Sequence, residues 1–355
     1  VAGAGAEMIK RGDILHCIKI DLPRELKTLE IHTFADLHIG DRTTDLKMIQ
    51  ERINYVKQTP NAYCILNGDL MNNATKTSVS DSYAEEIPPM EQIQKCVDMF
   101  EPVKDKILAV TTGNHERRTY NKEGIDLMEV AARQMGLYDR FSKSGVLIFV
   151  RFGEQSRGHK ETNGSGNVRK MCYTIYTNHG SGGGRKEGAK AIRLADMASI
   201  VDADIYIHSH THLPMVMKQA FFRTDIPNST CRCVDKLFVN TAATLNYGGY
   251  GEVYELKPAS KDTPVIYLNG TKKRNDSEVI KMDNVIKPVH YADKNIEVID
   301  YIKDTLTDTQ YTGYCLGNVI KYISRYQKKN GVEDLQKARV YLNWLIEVEQ
   351  KMDEH

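Results

Sequence analysis

Five short clusters of carboxylate, imidazole and amide side chains punctuate the chain: Asp36-Leu37-His38, Gly68-Asp69, Gly113-Asn114-His115-Glu116, Asn178-His179-Gly180 and His208-Ser209-His210-Thr211-His212. Together they hold six of the eleven histidines. This donor mixture suits borderline divalent cations such as manganese, iron, zinc or nickel. No single cluster supplies enough donors, so the chemistry requires the fold to bring them together. In Asp-x-His at a strand end both side chains point the same way, so Asp36 and His38 can share one ion. His210 and His212 repeat that spacing and, splayed at a strand terminus, can serve two different ions. Gly68 permits a tight turn before Asp69. The Asp69 carboxylate can then bridge two cations, which such a bridge holds roughly 3.5 to 4 Å apart.

The elements that must position these groups are legible around them. Strand-like runs span Leu29 to Ala35, Ala62 to Leu66, Ile107 to Thr111, Val146 to Phe152, Cys172 to Thr177, Ala203 to Ile207 and Lys236 to Val239. Apolar residues at helical spacing mark Asp45 to Lys57, Glu91 to Val103, Asp126 to Met135 and Lys186 to Ile200. Strands alternating with helices predict an α/β layered domain, with chemistry at the strand ends where loops converge. Gly153 to Arg169 and Thr75 to Pro89 are expected to be loops that close over the site. Residues 1–7 are small and featureless and read as an expression remnant before a native start at Met8. A domain over 8–270, a polar linker over 271–286 and an all-helical module over 287–355 complete the expected organisation.

Composition narrows the partners. A formal charge of +1 over 355 residues gives no global attraction to nucleic acid or lipid, so an anion must be caught locally. Seven cysteines, scattered apart from Cys231 and Cys233, make no disulfide framework and fit a reducing cytoplasm. The apolar runs are far shorter than the roughly 20 residues of a membrane helix. The expectation is a soluble protein with no membrane partner.

The ordered series D-x-H, G-D, G-N-H-E, H-G and H-x-H, from Asp36 to His212, resembles the calcineurin-like metallophosphoesterase superfamily, over about residues 29–270. Ser209 stands where that family usually has glycine before H-x-H. The resemblance implies a layered β-sandwich flanked by helices and two divalent ions, manganese being the first choice. It implies Asp36, His38, Asp69 and His212 around one ion, and Asp69, Asn114, His179 and His210 around the other. His115 would assist the leaving oxygen, with Glu116 orienting it or nearby backbone. His208 lies outside the pattern and reads as a packed or supporting histidine. Two such ions polarise phosphoryl oxygens and acidify a bridging water, giving a hydroxide for in-line attack with no serine or cysteine nucleophile.

Gly182, Gly183, Arg185 and Lys186 follow His179 and could cradle a phosphate at a helix start, or form a flexible basic turn. Arg117 and Arg118 could also contact an anion. Further on, Lys287-Pro288-Val289-His290-Tyr291, Gly317 to Tyr322 with Arg325, and Glu333-Asp334-Leu335 are similar to a phage domain of unknown function linked to nucleotide kinase-like proteins. That likeness suggests a phage origin, a bacterial host cytoplasm and a nucleotide or nucleic-acid connection. Lys321, Arg325, Lys328 and Lys329 form an expected basic helix face, which could instead be a solvated face or serve a homo-oligomer. The leading expectation is a metal-dependent phosphodiesterase acting on DNA or RNA. A phosphodiesterase or phosphatase for a small nucleotide is the second reading, and a non-catalytic phage binding protein with a structural metal site the third.

Overall fold

The computed structural model describes residues 5–8, 15–76, 78, 85–154, 170–182, 184, 186–248, 250–253, 255, 257–271, 279–280, 306–328 and 331–353. Gly183, Arg185, most of the Gly153 to Arg169 loop, part of the Thr75 to Pro89 loop and residues 287–305 lie outside the described residues. The chain divides into two compact units, 1–280 and 281–355.

Two sheets build the first unit. Strands β1 (Gly5–Met8), β2 (His16–Asp21), β7 (Val146–Phe152), β8 (Met171–Asn178), β9 (Ile205–His208), β10 (Met215–Asp225) and β11 (Thr230–Asn240) form one, in the order β1-β2-β7-β8-β9-β11-β10. The other has β3 (Thr28–Phe34), β4 (Ala62–Asn67), β5 (Ile107–Thr111), β6 (Phe141–Ser142), β12 (Val265–Asn269) and β13 (Val279–Ile280), in the order β13-β12-β3-β4-β5-β6. The pleat decides what each strand residue meets. Ile31, Ile65 and Ala109 turn inward to pack on Ile18, Ile148, Ile175, Ile207 and Val239 of the facing sheet. Their neighbours Phe34, Cys64, Leu66 and Val110 turn outward onto helices. Those helices are α1 (Leu46–Gln58), α2 (Pro89–Phe100) and α4 (Leu127–Gln134), which bury Ile49, Ile53, Ile93, Phe100, Met128 and Ala131. On the far side α5 (Glu187–Asp196) lays Leu194 beside Tyr206 and Phe238. The result is the expected layered α/β sandwich with helices on both outer faces.

Capping fixes where the helices begin. Asp45 accepts from Met48 N at 3.1 Å, and Asp126 from Met128 N at 3.0 Å and Glu129 N at 3.2 Å. Parallel pairing of β3, β4 and β5 aligns their C-terminal ends, so the loops that follow emerge at one edge. Two segments expected outside the domain take part in its sheets. Gly5–Met8 runs antiparallel to β2, and Val279–Ile280, within the expected linker, pairs with β12.

The second unit contains helices α7 (Asp308–Arg325) and α8 (Val332–Asp353), with a short helix α6 (Tyr250–Val253) belonging to the first. Thr307 and Gln310 form a capping box at the start of α7. Tyr311, Cys315 and Val348 are its buried apolar centre, with Tyr314, Tyr341 and Trp344 against them. Of the expected basic face, Lys321 and Arg325 lie on α7, Lys328 follows it in a 3-10 turn and Lys329 lies outside the described residues. Arg325 reaches across the hairpin with Nε and Nη2 at 3.0 and 2.9 Å from the two oxygens of fully buried Asp334. Lys321 donates to Asn318.

Candidate metal centre

The five clusters meet at the edge where β3, β4, β5, β8 and β9 end. Three groups of side chains bring ligand-type atoms within 4.8 Å of one another: Asp36, His38 and His212; His38, Asp69 and His115; and Asp69, His179 and His210. His38 and Asp69 each belong to two groups, so the three form one continuous centre. His38 Nε2 and His212 Nε2 face each other at 3.4 Å. Asp36 Oδ1 lies 3.3 Å from His212 Nε2, and His179 Nε2 lies 3.1 Å from both Asp69 Oδ2 and Asn114 Oδ1.

The backbone is strained at these positions. Asp36, His38, Asp69, His210 and His212 all have φ between 51° and 64°. The left-handed region costs non-glycine residues of order 1 kcal/mol or more and persists only where surrounding structure enforces it. Gly68 and Gly113 make the close approach possible. Gly68 has φ of 78°, and a Cβ there would fall 2.5 Å from Gly113 N. A Cβ on Gly113 would fall 2.1 Å from Asp69 Oδ1.

Supporting hydrogen bonds orient the donors. Helix α3 (Asn114–Glu123) starts directly under Asp69, whose Oδ1 accepts from His115 N at 2.8 Å. Glu116, completely buried, accepts from Asp69 N and Gly113 N at 3.0 Å and from Met71 N at 3.1 Å. It therefore braces the backbone of the Asp69 loop. Asn67 spans the two sheets. Its Oδ1 accepts from Thr111 and Thr177, its Nδ2 donates to Ser209 Oγ and the Asn178 carbonyl, and its own carbonyl meets His179 Nδ1 at 2.8 Å. With Nδ1 donating to that carbonyl, His179 turns its Nε2 toward the carboxylates. His208 pairs with Asn240 Oδ1 at 2.9 Å, and Asn240 also donates to Thr211 and Leu213, so His208 underlies the His210–His212 turn.

The electrostatics call for positive charge. Burial alone would raise the Asp69 carboxyl, but His179, His115 and His38 outweigh it and hold the group well below its ordinary range. Burial lowers His179, but Asp69 and Asp36 overcome it and push the imidazole up to about 10. A divalent cation held by His179 and Asp69 would meet the same demand for positive charge. Burial, reinforced by neighbouring histidines, lowers His38 and His210 and so favours their neutral, ligating form. Asp36 Oδ1 and His38 Nδ1 are buried with no hydrogen-bond partner among the described residues. Converging lone pairs, unpartnered donors and strained backbone fit divalent cations.

His115 lies beside His38, ring centroids 4.3 Å apart, and both of its nitrogens have close partners outside the ligand groups. Its Nδ1 lies 2.7 Å from the Asn72 carbonyl, and its Nε2 is engaged by Arg118 Nη2 at 2.9 Å. Of the phosphate-gripping candidates, Arg117 donates instead to the carbonyl of Lys143. Gly182 has φ of 109°, and Lys186 is the exposed residue preceding α5. Asn67, Asn72 and Asn240 were not singled out by sequence. The one available signal was for Asn67, a polar side chain closing the apolar run of β4.

A family model for calcineurin-like phosphoesterases matches residues 29–214, and one for a family of unknown function, DUF3310, matches 285–343. The gene 1.7 protein of Enterobacteria phage T3 is 28% identical over 166 residues, covering 45% of this chain and 77% of that protein. The nucleotide kinase gp1.7 of Escherichia phage T7 is 33% identical over 96 residues, covering 26% of this chain, which spans only 48% of that relative. Among solved structures, a predicted phosphoesterase from Streptococcus pneumoniae is 14% identical with a TM-score of 0.27, over 72% of this chain and 94% of that one. A metallophosphoesterase from Sphaerobacter thermophilus is 10% identical with a TM-score of 0.32, over 69% and 90%. No helix among the described residues is long and apolar enough to cross a membrane. Because the family match takes in just over half of the chain and its motifs converge on one centre, the chain belongs to the calcineurin-like phosphoesterase family and is a metal-dependent phosphoester hydrolase.

Proposed function

We propose that this protein is a two-metal phosphodiesterase acting on nucleic acid, with residues 8–270 as its catalytic domain and 287–355 as a helical module. The observation that supports the reading is Asp69, which like His38 belongs to two of the three ligand groups and, unlike His38, has a carboxylate that two ions could share. Asp36, His38, Asp69 and His212 would hold one ion, and Asp69, Asn114, His179 and His210 the other, with manganese first among the candidates. When bound, such a pair supplies Lewis acidity to the phosphoryl oxygens and acidifies water at neutral pH. The chain's own residues do the remainder. Asn67 and Glu116 fix the loops that present the donors. With Nδ1 committed to the Asn72 carbonyl, His115 would assist the leaving oxygen through Nε2 once that nitrogen carries a proton.

Support for a nucleic-acid substrate comes from outside the centre. A relative is named a nucleotide kinase, and the C-terminal module matches DUF3310. The same observation favours a second reading, a phosphodiesterase or phosphatase for a small nucleotide. The discriminating assay is hydrolysis of bis-para-nitrophenyl phosphate against para-nitrophenyl phosphate with manganese, followed by single-stranded DNA, RNA and mononucleotides. Diester cleavage lost in Asp69→Ala and reduced in His115→Ala supports the proposal. Monoester preference contradicts the nuclease reading, and cleavage of mononucleotides alone selects the second.

A further inference from the structure

Arg117 and Arg118 are adjacent in sequence yet have different surroundings. Arg118 lies three residues beyond His115 on α3, and that spacing places both side chains on one face of the helix. Its Nη1 is 3.1 Å from the Asn72 carbonyl and 3.5 Å from that of Asn73, while Nη2 is 2.9 Å from His115 Nε2. A carbonyl only accepts and a guanidinium only donates. His115 is thereby specified as the neutral tautomer with hydrogen on Nδ1 and the lone pair on Nε2. The edge of His115 that faces the centre, with Nε2 3.9 Å from Asp69 Oδ2, is therefore already occupied by a permanent cation. A substrate oxygen that approaches this nitrogen must also approach the guanidinium.

We propose that Arg118 is a substrate-binding residue of the phosphoesterase centre. Its Nη2 turns from His115 Nε2 to a phosphoryl oxygen on the leaving-group side while Nη1 stays on the carbonyls of Asn72 and Asn73. Three physical points carry this. Arg118 is half-buried, so its charge is less screened than that of the exposed Arg117. One of its partners, on the site side, is an imidazole nitrogen, a neutral acceptor that an anionic phosphoryl oxygen outcompetes. Its anchor on two backbone carbonyls fixes where the charge is presented, so only the turn of Nη2 separates the resting contact from the one with the phosphoryl oxygen. The site then meets negative charge at the leaving side with a cation that never titrates, whatever the protonation of His115. This inference rests on the proposed assignment of the centre to phosphoester hydrolysis.

The test uses the full chain loaded with manganese and inorganic phosphate as the probe, with binding measured by calorimetry for wild type, Arg118→Ala and Arg118→Lys. Loss of a charge-assisted contact predicts a phosphate dissociation constant raised about 10-fold or more in Arg118→Ala, with partial recovery in Arg118→Lys. Melting temperature and bound manganese should match wild type in both. Hydrolysis by Arg118→Ala should fall further for a dinucleotide, whose leaving group is an alkoxide, than for bis-para-nitrophenyl phosphate. Unchanged phosphate affinity in Arg118→Ala overturns the inference. So does wild type that binds no phosphate, and so does a loss that tracks a fall in melting temperature or metal content. Should the alanine variant fail to fold, Arg118→Lys decides by itself: phosphate affinity reduced by more than about twofold, with melting temperature and bound manganese retained, supports the contact, because lysine does not reproduce the anchored guanidinium, and affinity equal to wild type overturns it. Wild type that binds phosphate through Arg118 but hydrolyses no ester would contradict the proposed function and leave the Arg118 contact standing.

Discussion

Strand β3 carries two buried clusters of acid and imidazole, one along its length and one just beyond its end. Along it, fully buried His32 sits 3.5 Å from Glu30, which accepts from Tyr55 at 3.0 Å, with buried Arg52 donating to the Thr33 carbonyl. Beyond its end, Asp36 and His38 join Asp69, His179, His210 and His212. Both clusters are rich in titratable groups, yet only the second has the features of a reactive centre. Its donors come from separate strand ends, Asp36, His38, Asp69, His210 and His212 adopt left-handed backbone, and its lone pairs point at one another. The His32 cluster lies in ordinary extended strand between α1 and the sheet, where Tyr55 donates to Glu30 while both ring nitrogens of His32 find no hydrogen-bond partner among the described residues. Burial and charge pairing alone thus do not distinguish a site from a well-packed interior, whereas convergence and strain do.

The largest expected effect separates the two clusters by activity. Asp69→Ala should lower diester hydrolysis by about 1,000-fold or more, a loss typical of removing a central electrostatic group. His32→Phe, by contrast, should leave hydrolysis within about threefold of wild type, because it lies outside the reacting region. Comparable losses in both variants would dissolve the distinction. Next comes stability at the centre's support. Asn67→Ala would leave Thr111, Thr177 and Ser209 without their shared partner. Urea unfolding should show a loss of about 2 to 4 kcal/mol from the resulting buried, unsatisfied polar groups; a loss below 1 kcal/mol would mean that water replaces Asn67 at little cost.

The smallest effect concerns pH. Burial, the dominant influence on His32, lowers it below its ordinary value of 6.5; Glu30 opposes the shift, and Arg52 and Lys106 add to it. With the folded value depressed, His32 contributes stability that is fully present above about 6.5 and is lost as pH falls through the lower folded value. His32→Phe should therefore lose less melting temperature than wild type between pH 7.5 and pH 5. Parallel melting curves across that range would show that His32 titrates normally in the fold.

Sequence exposed the centre better than the scaffold that supports it. The ligand clusters are local, two to five residues long, and each requires particular donor types, so their order alone revealed them. Strand β10 escaped because Lys218 and Gln219 interrupt its apolar pattern and much of it is exposed. Helix α3 escaped because its sequence is almost wholly polar, and Glu116 is its one buried residue. That helix is held by the Glu116 network and by Asp69 accepting from the His115 amide, which are contacts that periodicity does not register. The difference between Arg117 and Arg118 has the same origin. One residue along a helix is a rotation of about 100°, so their separation depends on where α3 begins. Asn67 gave a weak signal because its partners lie 44 to 142 residues away.

The claim on which the account depends most is that Asp69 bridges two cations, and the direct measurement is manganese stoichiometry in metal-stripped and reloaded protein, by isothermal titration with elemental analysis of the product, for wild type and Asp69→Asn. The account predicts two ions per chain in wild type and no more than one in Asp69→Asn, with diester hydrolysis falling in step. One ion per chain in wild type, or two retained in Asp69→Asn, would contradict it.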